Sequence, residues 1–164
     1  MSRKPKSIQE RRTPLPLYRE LDRLFGPLKL DAFAEPHNAL CRRYLTVLDD
    51  GTRHPWVNGT FWNPPFAIMG LAIKHALEEA LRGKRSVGIS PVIGSQEWAH
   101  EYAIRGTILK PDCRISYDDA KGRTTGRPGD KEPGADRDSD ILLLGPGFWN
   151  PRWKRGEFLV KRLP

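Results

Sequence analysis

The chain has 164 residues, 38% of them hydrophobic and 29% charged, and its 28 Lys and Arg against 20 Asp and Glu leave a net charge of +8. That length suits one domain, whose core can bury roughly 70% of the unfolded surface, and the composition stops short of a disordered profile. No run of about 18 apolar residues exists, which excludes a membrane-spanning helix, and no apolar run follows the basic Arg3, Lys4 and Lys6, which excludes a secretory signal.

In chain order, Thr13-Pro14 opens the ordered part. Leu15, Leu17, Tyr18, Leu21, Leu24 and Phe25 recur at helical spacing, and Gly26-Pro27 ends the run. Residues 28–34 alternate as a short strand, broken by Pro36-His37-Asn38. Residues 39–43 read as a short helix or loop and residues 44–48 as a second strand, followed by the turn chemistry of Asp49-Asp50-Gly51. Residues 57–62 lead as a strand into Asn63-Pro64-Pro65-Phe66. Residues 67–82 predict the clearest helix, with Ile68, Leu71, Ala72, His75, Ala76, Glu79 and Ala80 marking its period and Gly83 at its end. Residues 86–91 form a buried-type strand, and Ser95 caps a helix through Ala103. Residues 106–109, 114–117 and 140–144 are further candidate strands. Residues 118–139 carry almost nothing apolar, so burial cannot offset their ordering entropy. They form either a functional loop or a disordered insertion.

Strands alternating with helices imply an α/β layer with a largely parallel central sheet. Ligands bind such sheets beyond the carboxyl ends of the strands. That rule lines up residues 31–34, Asp49, residues 63–66 and residues 90–95 along one edge. The charge is localised too. Residues 1–13 and residues 151–164 each carry a net +4, so the body between them is neutral. Basic ends on a neutral body are arms for a polyanion such as nucleic acid, or simply charged tails. His37, His54, His75 and His100 lack metal-like spacing, and no metal site is expected. Cys41 and Cys113 suggest no disulfide scaffold and fit a reducing cytosol as small buried residues.

Asn63-Pro64-Pro65-Phe66, between a strand and a helix, suits methyl transfer to a planar exocyclic amine. Such an amine is a poor nucleophile because its lone pair is delocalised into the ring. A side-chain amide oxygen (Asn63) and a backbone carbonyl (Pro64) can each accept one of its N–H bonds, returning electron density to nitrogen and fixing it for in-line attack. Pro65 stiffens the loop. Phe66 stacks on the base, worth roughly 1–3 kcal/mol, once the base has left the duplex at a cost of a few kcal/mol. A strand-ending turn with a buried Phe is the plainer reading of the same four residues.

In this order, Thr13-Pro14, Leu30-Asp31-Ala32-Phe33-Ala34, Asn38-Ala39, Trp56, Phe61-Trp62-Asn63-Pro64-Pro65-Phe66, then Pro91, Ser95, Trp98, Arg114 and Tyr117, the chain resembles the phage-type, Dam-like DNA N6-adenine methyltransferases over about residues 13–144. The resemblance implies a compact, Rossmann-like class I methyltransferase fold with helices on both faces of the sheet. It implies S-adenosylmethionine as methyl donor, DNA adenine N6 as acceptor, and a cytoplasmic monomer in a bacterial or phage-infected cell. Asp31, Ala32, Ala34 and Asn63 would border the cofactor, with Thr13 and Pro14 closing the pocket. Asp49 would accept the ribose hydroxyls, or else forms the turn before Asp50-Gly51. The organisation expected is a basic arm (residues 1–12), a methyltransferase-like domain (residues 13–150) and a basic tail (residues 151–164). Arg11, Arg12, Arg114, Arg123, Arg127, Arg152, Lys154 and Arg155 would contact DNA.

Two features depart from the pattern. No glycine occurs in residues 31–36, where methyltransferases carry a glycine loop, and residues 118–139 are long, with five basic groups against six acidic ones. Cytosine N4 methylation uses the same amine chemistry. A non-catalytic DNA-binding protein that kept the fold is the alternative outside enzymes.

Overall fold

The computed structural model describes residues 12–111, 115 and 138–151, and the backbone of residues 159–162. Helix α1 (Leu15–Phe25) starts after Pro14, whose carbonyl accepts the Tyr18 N–H at 3.1 Å, and stops at Gly26, whose N–H returns to the Asp22 carbonyl. Two very short strands follow, β1 (Leu30–Asp31) and β2 (Arg43–Tyr44), then β3 (Thr60–Trp62). A 3-10 turn (Phe66–Ile68) runs into α2 (Met69–Leu81), with Gly83 at φ +86° beyond its end. The chain continues as β4 (Ser86–Pro91), α3 (Glu97–Glu101), a 3-10 turn (Ala103–Arg105), β5 (Thr107–Lys110), β6 (Ser139–Leu144) and β7 (Leu159–Arg162).

The seven strands form one sheet in the order β2-β1-β3-β4-β6-β5-β7. The first four are parallel, β6 runs antiparallel between β4 and β5, and β7 returns parallel to β5. The mixed α/β architecture and mostly parallel sheet agree with the expectation. β6 departs from it, because the apolar pattern of residues 140–144 carries no direction. β7 lies within residues 151–164, which the sequence presents as a basic tail. The candidate strand at residues 114–117, apart from Ile115, lies outside the described residues.

Period-two alternation splits the core between the two faces. Phe61, Val87, Ile89, Ile141 and Leu143 face one way and are covered by Tyr18 and Leu21 of α1. Trp62, Leu142 and Leu144 face the other way, under Met69, Ile73, Ala76 and Leu77 of α2 and Ala99 of α3. Trp62 packs flat across Gly88, its register partner, and donates from its indole N–H to Ser86 Oγ at 3.2 Å. A side chain at residue 88 would occupy the volume of that indole: a Cβ there would sit 2.0 Å from Trp62 Cε2.

The stripe that α2 buries is rotated from the one the sequence period marks. Leu71 is 59% exposed, whereas Met69, Ile73 and Leu77 are buried. Both stripes satisfy the 3.6-residue period, and the packing partners choose between them.

Candidate active site

β1 is the point where the strand order reverses: β2 lies on one side of it and β3 on the other. Open α/β sheets form their ligand crevice at such a reversal. Here the crevice is built from the residues after β1, the turns after β2 and the Asn63–Phe66 segment after β3. Its main cavity is about 310 Å³, walled among others by Phe33, Ala34, Asn38, Asp50, Asn63 and Pro65. That volume falls within the range of small-molecule sites. A second chamber of about 30 Å³ shares Phe33, Asn38 and Asn63 with it and adds Arg12, Thr13 and Asp31.

Asn63 stands where the two spaces meet. Its Nδ2 donates to Thr13 Oγ1 at 3.0 Å, and Thr13 is itself buried. Among the described residues no donor reaches Asn63 Oδ1, so the amide is oriented from its nitrogen end while its oxygen remains available. Pro64 is buried, Pro65 lines the cavity, and Phe66 is exposed at the head of the 3-10 turn.

Asp31 closes β1 as a buried carboxylate, accepting the Leu40 N–H at 3.1 Å and the Phe33 N–H at 3.4 Å. Burial pushes its pKa up to about 6, and the two N–H bonds oppose that rise. These bonds tie down the turn after β1 with no glycine of its own. Gly51, from the turn after β2, supplies the close approach instead: a Cβ there would meet the Ala32 carbonyl oxygen at 2.1 Å and also the Phe33 ring. Trp56 anchors that second turn, donating from Nε1 to the Gly51 carbonyl at 2.9 Å, and its ring meets Phe33 and Trp62. His75 is a packing residue, edge-on to Trp56 and bonded to the His54 carbonyl at 2.9 Å.

The structure thus brings together Thr13, Asp31, Ala34, Asn63 and Pro65. It places other candidates elsewhere. Ala32 is fully buried in the core, and Pro14 heads α1; neither lines the two cavities. The Asp49 carboxylate closes its own turn, accepting the Thr46 N–H and hydroxyl at 2.8 Å, and that backbone bond chiefly holds its pKa down. Asp50 lines the cavity in its stead, with its carboxylate held by the Thr52 hydroxyl at 2.6 Å. Residues 90–95 line neither cavity. Arg12 belongs to the small chamber rather than to a free arm. Arg11, Arg114, Arg123, Arg127, Arg152, Lys154 and Arg155 lie outside the described residues. Asn38 and Gly51 escaped the sequence reading. Asn38 Oδ1 accepts the Glu35 N–H at 2.8 Å, and a short-range Asn turn signal at Pro36-His37-Asn38 was its only trace.

Cys41 is buried against the Tyr18 hydroxyl at 3.2 Å, and burial pushes its thiol up to about 11, which leaves it without nucleophilic character. Among the described residues no three His, Cys, Asp or Glu side chains gather to hold a metal ion, and no helix is long and apolar enough to cross a membrane.

Residues 2–130 match the family model described as DNA N-6-adenine-methyltransferase (Dam). The chain is also 36% identical over 62 residues to "Putative methyltransferase YfdM" of Escherichia coli (strain K12), an alignment spanning 34% of this chain and 68% of that protein.

Proposed function

This chain belongs to the DNA N-6-adenine-methyltransferase (Dam) family, and we propose that it methylates the exocyclic N6 amine of an adenine swung out of DNA, with S-adenosylmethionine as donor. The observation that carries the proposal is the Asn63 amide, held at Nδ2 by Thr13 and presenting an uncommitted Oδ1 to the crevice. That oxygen accepts one amine N–H and the Pro64 carbonyl accepts the other. Together they localise the nitrogen lone pair and fix its direction of attack. The amine forms its new N–C bond and sheds one proton, ending as a neutral secondary amine. Phe66, exposed beside them, offers the ring on which the extruded base stacks.

The crevice fits the donor in size and in chemistry. It combines a cavity of about 310 Å³, the Phe33 ring, and carboxylates at Asp31 and Asp50. When bound there, the donor supplies an electrophilic methyl carbon. Asp50, in place of Asp49, is positioned for a ribose hydroxyl. The strand order, with its reversal at β1 and its antiparallel β6, supports a Rossmann-like class I methyltransferase fold.

Mass spectrometry of nucleosides from DNA of a host lacking its own adenine methylation tests the proposal. Expression of the wild type should yield N6-methyladenine. Asn63→Ala should abolish it while leaving DNA affinity nearly intact. Methylation on cytosine N4, or an Asn63→Ala variant with wild-type turnover, would overturn the assignment.

A further inference from the structure

The small chamber has an electrostatic design that the catalytic reading leaves unused. Arg12 forms part of its wall, and the Arg12 Nε is buried without a partner. No carboxylate pairs with the Arg12 guanidinium among the described residues. A cation drawn partly out of water without a counter-charge is costly, and an anion seated beside it recovers that cost. The same wall carries Asp31, a buried carboxylate of opposite sign. No ion pair joins the two, although each faces the same space. Its volume of about 30 Å³ suits a carboxylate-sized group and is too small for a DNA backbone. Two unpaired opposite charges held apart in one chamber complement a zwitterion. Asn63 continues the chamber wall into the main cavity, so a ligand with its zwitterionic end here extends past the amide that handles the amine.

We propose that the chamber binds the α-amino-acid end of the methyl donor, with the Arg12 guanidinium holding its carboxylate and Asp31 facing its ammonium. This rests on the methyltransferase reading, and it moves Arg12 from DNA contact to donor recognition. A charge-assisted bidentate contact of this kind accounts for a large share of small-ligand affinity.

Calorimetry with the full-length protein tests it, using S-adenosylmethionine and its decarboxylated analogue as probes. Wild type should bind S-adenosylmethionine roughly 10- to 100-fold more tightly than the analogue. Arg12→Gln should lose that preference, weakening the first probe by the same factor and leaving the second unchanged. Arg12→Lys, which keeps the charge, should restore much of the preference. Equal wild-type affinity for both probes would overturn the clamp while leaving the methyltransferase assignment standing. So would an Arg12→Gln variant that weakens both probes alike, or one that binds S-adenosylmethionine normally but loses DNA affinity. Absence of any binding to either probe by wild type would overturn both proposals.

Discussion

Replacing Asp31 by Asn should change how stability depends on pH, by an amount that follows from burial. The Asp31 carboxyl moves from an ordinary value of 3.8 to about 6 on folding. Between those values the native protein holds a proton that the unfolded chain has released. Stability therefore falls as pH rises through the window. Two pH units at 1.36 kcal/mol each amount to about 3 kcal/mol lost between pH 4 and pH 7. Asn carries no charge, so its variant should not show this component. It has one acceptor where Asp31 satisfies two N–H groups, so it loses about 1–3 kcal/mol at every pH. The two effects separate cleanly: one is a slope and the other an offset. Urea unfolding followed by tryptophan fluorescence, which Trp56 and Trp62 report from the core, would be run on both proteins from pH 4 to pH 7.5. The wild type should lose about 3 kcal/mol more than the variant across that range. Parallel profiles would show that the Asp31 carboxylate remains solvated, and the picture of a sealed β1 terminus would fail.

Other outcomes follow from packing and from charge. Gly88→Ala forces a methyl group into the Trp62 indole and should destabilise by about 3 kcal/mol, lowering the melting temperature by roughly 6–12 °C; an unchanged melt would refute the flat packing of Trp62 on β4. Deleting residues 1–10 removes Arg3, Lys4 and Lys6 but spares Arg12. DNA affinity should weaken and its log–log salt slope should flatten by roughly 0.9 per lost phosphate contact, while S-adenosylmethionine affinity measured by calorimetry stays the same. An unchanged slope would remove the arm from the DNA interface.

Elements with strong local patterns were legible from the residues alone. α1 matches the expected span because Pro14 and Gly26-Pro27 punctuate it chemically. The continuous apolar runs of β4 and β6 are buried on both faces, as such runs must be. β1 and β2 are far shorter than residues 28–34 and 44–48 suggest, because side chains end the pairing: the Asp31 carboxylate captures the N–H groups of Phe33 and Leu40, and Asp49 captures that of Thr46. Only the folded arrangement shows those captures. β7 escaped notice because an edge strand rich in Lys and Arg is indistinguishable by composition from a solvated tail.

The site divides along the same line. Amine chemistry at Asn63 to Phe66 could be read from four adjacent residues, since an amide, a stiff carbonyl and an aromatic ring need only neighbouring positions to act together. Arg12, Asp31, Asn38, Asp50 and Gly51 come from four separate loops. What they do depends on distances that chain order does not encode: whether Asp49 or Asp50 faces the crevice turns on a single turn at φ +53°, and whether Arg12 reaches DNA or a buried chamber turns on how the chain enters α1. Residue chemistry set which reactions this molecule could perform, and the sheet reversal at β1 decided which charges confront one another, because Coulomb and hydrogen-bond energies respond to separation in space and not to position along the chain.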